Sequence, residues 1–370
     1  MRVGILTGGG DCPGINAVIR AVSKALLLQQ NAEVIGFIDG FQGLIEHRYT
    51  RLDYRDVSGI LTQGGTILGA HNKANPFEYV GRDGADVSDE VLDYYEELEL
   101  DAVVAIGGDG TMSICHRMQQ KGMDIVGVPK TIDNDVARTD RTFGFDTAAS
   151  IATEAIDRLH TTAESHGRVM ILETMGRYSG WIALHAGVAG GADVILIPEI
   201  PYRVDEVARV CRQRADRQKF TIVAIAEGAT RKGGEMVAQE EASGDRRHVR
   251  LGGVGYALKD QLDPKLDSEI RTTVLGHVQR GGTPTPFDRV LATNYGAYAA
   301  SLVAQGDVGR MVALQDNDLT SVPLAEVADQ NRTVPLDSMH IASAAAVGTS
   351  FGDPDLHPDV ADLGDYVSLS

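Results

Sequence analysis

The run Pro129-Lys130-Thr131-Ile132-Asp133-Asn134-Asp135 places a cation, a hydroxyl and two carboxylates directly after the apolar stretch Ile125-Val126-Gly127-Val128. A carboxylate at the end of a buried strand can take the proton from an attacking hydroxyl, and α/β proteins hold their ligands beyond the carboxyl ends of their strands. Somewhat earlier, Ala102-Val103-Val104-Ala105-Ile106 opens into Gly107-Gly108-Asp109-Gly110-Thr111. Small residues there let a phosphate approach the backbone N–H groups, and Asp109 offers a carboxylate for Mg²⁺. Either loop alone reads equally well as a tight connection from strand to helix. Together they describe a base beside a phosphate cradle.

The elements that must carry these loops are legible as apolar runs. Val3 to Thr7 is a short strand leading through Gly8-Gly9-Gly10-Asp11-Cys12-Pro13-Gly14 into a helix with Ile15, Val18, Ile19, Val22 and Leu26 on one face. Pro13 stands where a dinucleotide fingerprint needs its last glycine, which argues against NAD. Val34 to Ile38 reads as a second strand, with another glycine turn at Gly64-Gly65-Thr66-Ile67-Leu68-Gly69. Further strands are expected at Val169–Glu173, Val194–Ile197 and Thr221–Ala226, with Thr272–Leu275 the last. Strand and helix alternate throughout, as a mainly parallel, doubly wound α/β sheet requires.

At 370 residues the chain exceeds one ordinary core, so two lobes or an enlarged α/β domain is expected. Its 34 Lys and Arg against 52 Asp and Glu give a net charge of −18, which disfavours nucleic acid and anionic membrane surfaces as partners. Anionic ligands must therefore be held by local clusters. The three cysteines, Cys12, Cys115 and Cys211, have neither disulfide nor zinc spacing, and no apolar stretch reaches membrane-spanning length. A cytoplasmic, soluble protein is expected. Arg231 to Arg250 reads as an exposed excursion, and the acidic chain from about residue 345 to 370 as a loosely held tail.

Arg168, Arg177, Arg271 and Arg280, with His277, stand at strand ends beside glycine turns. Singly, each is more simply a surface charge. Converging on one sheet edge, they could hold a phosphate monoester through charge-assisted, bidentate contacts.

Taken with Met175-Gly176-Arg177 and Leu275-Gly276-His277-Val278-Gln279-Arg280-Gly281-Gly282, these motifs resemble the bacterial A-type 6-phosphofructokinases, over roughly residues 1 to 340. The resemblance implies two Rossmann-like lobes with mainly parallel sheets and the active site in the cleft. The nucleotide lobe is expected at 1–140 plus about 255–305, and the fructose 6-phosphate lobe at about 141–254 plus about 306–340. It implies Asp133 as general base, Asp109 as the Mg²⁺ ligand, and Gly10, Gly108, Gly110 and Thr111 along the phosphates of ATP. Thr131 and Arg177 are implied at the transferring phosphoryl group. Met175, Gly176 and Glu227 are implied on the sugar, and His277 and Arg280 on its 6-phosphate. Arg168 and Arg271 are implied to come from a neighbouring subunit, so that a homodimer or homotetramer is expected.

Two positions bear on the donor. In the resembled family, glycine at Gly110 accompanies ATP, while a lysine at Lys130 is more familiar in pyrophosphate enzymes; the pairing resembles the mixed-substrate group. Gly110 leaves room for an α-phosphate, and ATP is the expected donor, with pyrophosphate the alternative. Asn72 replaces the family's nucleotide-contacting arginine, and Lys73 beside it can serve as a point charge. Arg20 is kept at the family's effector site, but His160 and Gln218 stand where arginine and lysine are usual, so effector chemistry does not carry over. A lipid or NAD kinase can share the Gly-Gly-Asp-Gly-Thr loop, though not Thr131–Asp135. A silent sugar-phosphate sensor has no need of a base. Gly348-Thr349-Ser350-Phe351-Gly352 fits a nucleophile elbow by coincidence, lacking a strand and helix around it.

Overall fold

The computed structural model describes residues 1–217, 219–236, 238–239, 250–251 and 253–356. In chain order its strands are β1 (Arg2–Thr7), β2 (Glu33–Phe37), β3 (Tyr49–Arg51), β4 (Ala102–Gly107), β5 (Ile125–Thr131), β6 (Phe143–Gly144), β7 (Val169–Thr174), β8 (Val194–Leu196), β9 (Thr221–Ala226), β10 (Ala238–Gln239), β11 (Arg250–Leu251), β12 (Ile270–Val274), β13 (Arg310–Gln315) and β14 (Asp318–Pro323). The helices are α1 (Ile15–Gln29), α2 (Phe41–Ile45), α3 (Ser88–Glu97), α4 (Asp109–Gln120), α5 (Phe145–His166), α6 (Trp181–Ala189), α7 (Val204–Arg217), α8 (Val254–Leu262), α9 (Pro286–Gln305) and α10 (Met339–Ala346). Two compact units result, Met1–Thr147 with Arg280–Arg332, and Ala148–Gln279 with the chain from Thr333.

In the first unit the sheet runs β14-β13-β5-β4-β1-β2-β3, with β6 beside the end of β5. Its centre is parallel, and only the outer pairs β2–β3 and β13–β14 are antiparallel. Every residue of β4 is buried, as expected of a strand covered on both faces. Leu6, Val103, Ala105, Met112, Ile125 and Met311 are among the residues that join strands and helices in one core. In the second unit four strands run β12-β7-β9-β8, all parallel, over a core that includes Ile171, Val223, Ile225 and Leu258.

Several expectations are corrected. Residues 255–279 pack with the second unit, because β12 pairs with β7; residues 306–332 pack with the first, because β13 pairs with β5. Thr272–Leu275 is therefore not the last strand. The tail is not loose at its start. Ser350 bridges to the edge of β8, Ile195 N–H donates to its carbonyl at 2.9 Å, and Phe351 is 3% exposed. Residues 357–370, like 237, 240–249 and 252 of the excursion and Gln218 of the effector reading, lie outside the described residues. Within the excursion, β10 and β11 pair antiparallel. Among the described residues no helix is long and apolar enough to cross a membrane.

Candidate active site

In the first unit β5, β4 and β1 lie side by side and parallel, with Gly107 opposite Pro129 and Thr7 opposite Ile106, so their carboxyl ends reach one edge. Three loops leave there together. Glycine is obligatory at the closest approach: a Cβ on Gly8 or Gly107 would stand 2.5 or 2.3 Å from the Thr111 hydroxyl oxygen. Thr111 is thereby buried over both strand ends, at 6% exposure. Gly110 is different. A Cβ there meets nothing within 4 Å, although glycine in a helix costs roughly 0.5–1 kcal/mol relative to alanine. Its bareness serves open space, not packing.

Lys130 follows from the same geometry. It is 4% exposed, and its ammonium donates to the Gly10 carbonyl, which ties the carboxyl end of β5 to the loop after β1. Burial lowers its pKa, and nearby Arg280 adds to that, while Asp11 and Asp135 oppose it. Arg280 belongs to this unit too, its guanidinium donating to the Asp11 carbonyl at 3.1 Å. The bridge from His71 to Gly8 brings the 64–73 loop alongside, with Asn72 and Lys73 exposed.

The carboxylates converge through a turn at Asn134, whose φ of 52° is left-handed. That conformation is tolerated by asparagine and is held here on several sides. The Asn134 carboxamide oxygen accepts from Thr142 N–H at 3.0 Å, Thr142 Oγ1 donates to the Thr131 carbonyl at 2.9 Å, and Arg332 N–H donates to the Asp135 carbonyl at 2.7 Å. Thr131 Oγ1 accepts from Asp133 N–H at 3.1 Å. The turn brings Asp135 within reach of Asp133 and Asp109. Burial first, then those two charges, raises the Asp135 carboxyl to about 7. One Asp135 oxygen is buried without a hydrogen-bond partner. An orphaned carboxylate oxygen in a crowd of negative charge suits a divalent cation. Among the described residues no group of three acidic, His or Cys side chains is placed to hold a metal ion by itself. The nearby Asp109 and Asp135 carboxylates fit Mg²⁺, which takes one or two carboxylates and completes its shell with water and phosphate.

In the second unit the carboxyl ends of β12, β7 and β9 carry Gly276-His277, Met175-Gly176-Arg177 and Glu227. Glu227 N–H donates to the Thr174 carbonyl at 2.9 Å and Gly228 N–H to the Gly176 carbonyl at 3.1 Å. A Cβ on Gly228 would stand 1.9 Å from the Arg177 carbonyl oxygen, so the two loops touch through backbone. The Arg177 guanidinium stacks 5.1 Å from the Tyr178 ring, and its Nε is buried without a partner. His277 is exposed.

Arg168 and Arg271 do not join this group. They stand at the amino end of the same sheet, and the six residues of β7 separate Arg168 from Met175, seven steps or roughly 23 Å at about 3.3 Å per residue. The expected convergence of four arginines on one edge is thus corrected within the chain. His160, which stands where the resembled family usually has a basic residue, is engaged with the Gly190 carbonyl at 2.7 Å.

Gln279 and Glu173 also hold these loops, although neither was singled out by its place in the sequence. Gln279 is fully buried and accepts the Met175 N–H at 2.9 Å. Glu173, 1% exposed, accepts from Gly253 and Gly255 N–H at 2.9 and 2.8 Å, binding the start of α8 to β7. Glu173 did carry a signal, a carboxylate at the end of an otherwise apolar run.

A glycine-lined phosphate cradle with a carboxylate cluster on one doubly wound unit, and an arginine-bearing polar edge on another, define a small-molecule phosphotransferase. Residues 2–303 match the phosphofructokinase family, and the chain belongs to it. It is 48% identical over 355 residues to a Spirochaeta thermophila protein named ATP-dependent 6-phosphofructokinase, covering 95% of this chain and 97% of that one. It is 50% identical over 340 residues to an Amycolatopsis mediterranei protein named pyrophosphate–fructose 6-phosphate 1-phosphotransferase, covering 91% and 97%. The structure of phosphofructokinase from Saccharomyces cerevisiae superposes with a TM-score of 0.77 at 27% identity, covering 99% of this chain and 50% of that one.

Proposed function

We propose that this chain transfers the γ-phosphoryl group of MgATP to the 1-hydroxyl of fructose 6-phosphate, giving fructose 1,6-bisphosphate and ADP, in the cytoplasm. The observation that carries the reading is the meeting of Asp109, Asp133 and Asp135 with Lys130 at the glycine-lined edge of the first unit. Asp133 takes the proton of the 1-hydroxyl as its oxygen attacks phosphorus and the bond to the ADP oxygen breaks; the proton stays on the Asp133 carboxylate until product leaves. Gly10, Gly108, Gly110 and Thr111 leave the backbone open to the phosphate chain, with Lys73 at its rim. Thr131 and Arg177 add a hydroxyl and a fixed positive charge for the transferring group, stabilising charge as it spreads. Asp109 and Asp135 would hold Mg²⁺, which supplies neutralisation of phosphate charge when bound. Met175, Gly176 and Glu227 orient the sugar, and His277 and Arg280 hold its 6-phosphate.

Arg168 and Arg271 complete that grip from a second copy of the chain, a reading supported by their distance from their own Met175-Gly176-Arg177. The working form is then a homodimer or homotetramer. For the donor, the open space at Gly110 favours ATP, whereas Lys130, as a general cation, suits pyrophosphate too.

The test is the initial rate of fructose 1,6-bisphosphate formation with Mg²⁺ and ATP or pyrophosphate as separate donors. Turnover with ATP alone supports the reading; turnover with pyrophosphate alone would replace the donor; activity with neither leaves a sensor.

A further inference from the structure

Arg168 and Arg271 are not bare cations awaiting a ligand. β7 and β12 run parallel with Val169 opposite Ile270, so the residues preceding them, Arg168 and Glu269, are cross-strand neighbours. Arg271 lies two residues beyond Glu269, on the same face by the period of a strand. One carboxylate joins both guanidiniums: Arg168 Nε donates to Glu269 Oε2, and Arg271 Nη2 to Glu269 Oε1. Each oxygen serves one arginine, which is how two terminal oxygens of a phosphate monoester would be held by the same pair. Arg168, whose side chain is 24% exposed, is the better anchored; Glu269 at 44% and Arg271 at 55% face water. The Glu269 carboxyl is held below its ordinary range by Arg168 and Arg271, so it is an anion throughout the range, above about pH 6, in which a phosphate monoester is a dianion.

We propose that Glu269 is an affinity- and specificity-determining residue: its carboxylate occupies the arginine pair in the substrate-free chain, and fructose 6-phosphate binds by exchanging its phosphate for that carboxylate. The inference rests on reading Arg168 and Arg271 as phosphate ligands. Its physical basis is the difference between the two anions. A phosphate dianion carries more charge and more acceptors than a carboxylate, so it displaces an exposed pair of modest strength. A monoanion gains nothing over Glu269 and is refused. Glu269 also keeps two like charges side by side in place of letting them repel, so the pair stays aimed at one point.

The experiment is steady-state kinetics of the full-length oligomer at saturating donor, with acetate as a competing monoanion, for the wild type and for Glu269→Gln, Arg168→Gln and Arg271→Gln. Removing the competitor in Glu269→Gln should lower KM for fructose 6-phosphate about 3–10-fold, with kcat within about twofold, as expected for loss of one exposed ion pair. Acetate should inhibit that variant at concentrations at least about fivefold lower than the wild type. Glu269→Asp, which withdraws the carboxylate by one methylene, should fall between, and serves if the glutamine variant does not fold. An unchanged or higher KM in both Glu269 variants overturns the proposal. If Arg168→Gln and Arg271→Gln leave KM unaltered, the phosphate reading itself falls; if they raise it while the Glu269 variants do not lower it, only the exchange falls.

Discussion

In the first unit the central charge lies out of water: Lys130 is 4% exposed, donates to the Gly10 carbonyl, and stands near a half-buried Asp135 carboxyl raised to about 7, with Asp109 and Asp133 half-buried beside it. In the second unit Glu269 and Arg271 are exposed and His277 is bathed in solvent. Charges of similar number therefore act on different scales. At an effective dielectric of about 20, unit charges 4 Å apart interact by roughly 4 kcal/mol, whereas an exposed pair is worth about 0–1 kcal/mol. Burial suits the first edge to moving a proton and steadying a phosphoryl group, since every charge there is felt. Exposure suits the Arg168–Glu269–Arg271 triad to recognition, because contacts must be made and released in each turnover.

The sharpest way to break that contrast is Asp133→Asn. If the first unit carries the chemistry, kcat should fall by about 10²–10⁴ while KM for either substrate moves little. Rapid-quench or coupled assays that find a loss below tenfold would move the base elsewhere. Gly110→Asp follows in size. The new Cβ meets no atom within 4 Å, and the carboxylate lies in the first turn of α4, where negative charge is favoured, so thermal stability should hold. Like charge facing an α-phosphate should cut kcat/KM for ATP by about 10²-fold, given a cost of several kcal/mol. Pyrophosphate, lacking that phosphate, is the control; equal losses with both donors would show a general electrostatic effect and no gate.

How much of this was legible beforehand depends on how local the cause is. The glycine loops after β1 and β4 and the Thr131–Asp135 run were readable because strand, turn and helix start are set by adjacent residues. The β13–β14 hairpin was not. β14 reads Asp318-Leu319-Thr320-Ser321-Val322-Pro323, an edge strand with one buried residue, and its partner β13 pairs with β5, far away in sequence. The docking of Ser350 on β8 was equally invisible, for an acidic, proline-punctuated stretch shows no sign that backbone hydrogen bonds will hold it. At the site, residue types were legible but edges were not. Arg168 and Arg177 both flank β7, and only the direction of the strand tells that one begins it and the other follows its end. Glu269 was overlooked for the same reason, since its meaning comes from register with Arg168.

The finest test compares the two units through pH. Asp135 binds its proton in the folded chain up to about 7, against an ordinary 3.8, so between those values the native state holds more protons than the unfolded one. Stability must then decline as pH rises from about 4 to about 7, and the lost part stays lost above. Asp135→Asn keeps the shape without the charge. Its melting temperature should match the wild type near pH 4 and exceed it at pH 8, by a few degrees for each kcal/mol recovered. Millimolar Mg²⁺ should raise the wild-type melting temperature at pH 8, hardly at pH 5, and less in the variant, because the cation answers the same crowding of Asp109, Asp133 and Asp135. Glu269 has the opposite sign: its carboxyl is lowered, so what it contributes is present at neutral pH and lost in acid, and its exposure makes that contribution small. Glu269→Gln should therefore leave the melting curve nearly flat against the wild type across pH 5–8. A pH-dependent gain there as large as that of Asp135→Asn would mean that the second unit's charges are as tightly held as the first's, and that its arginines are built for structure instead of exchange.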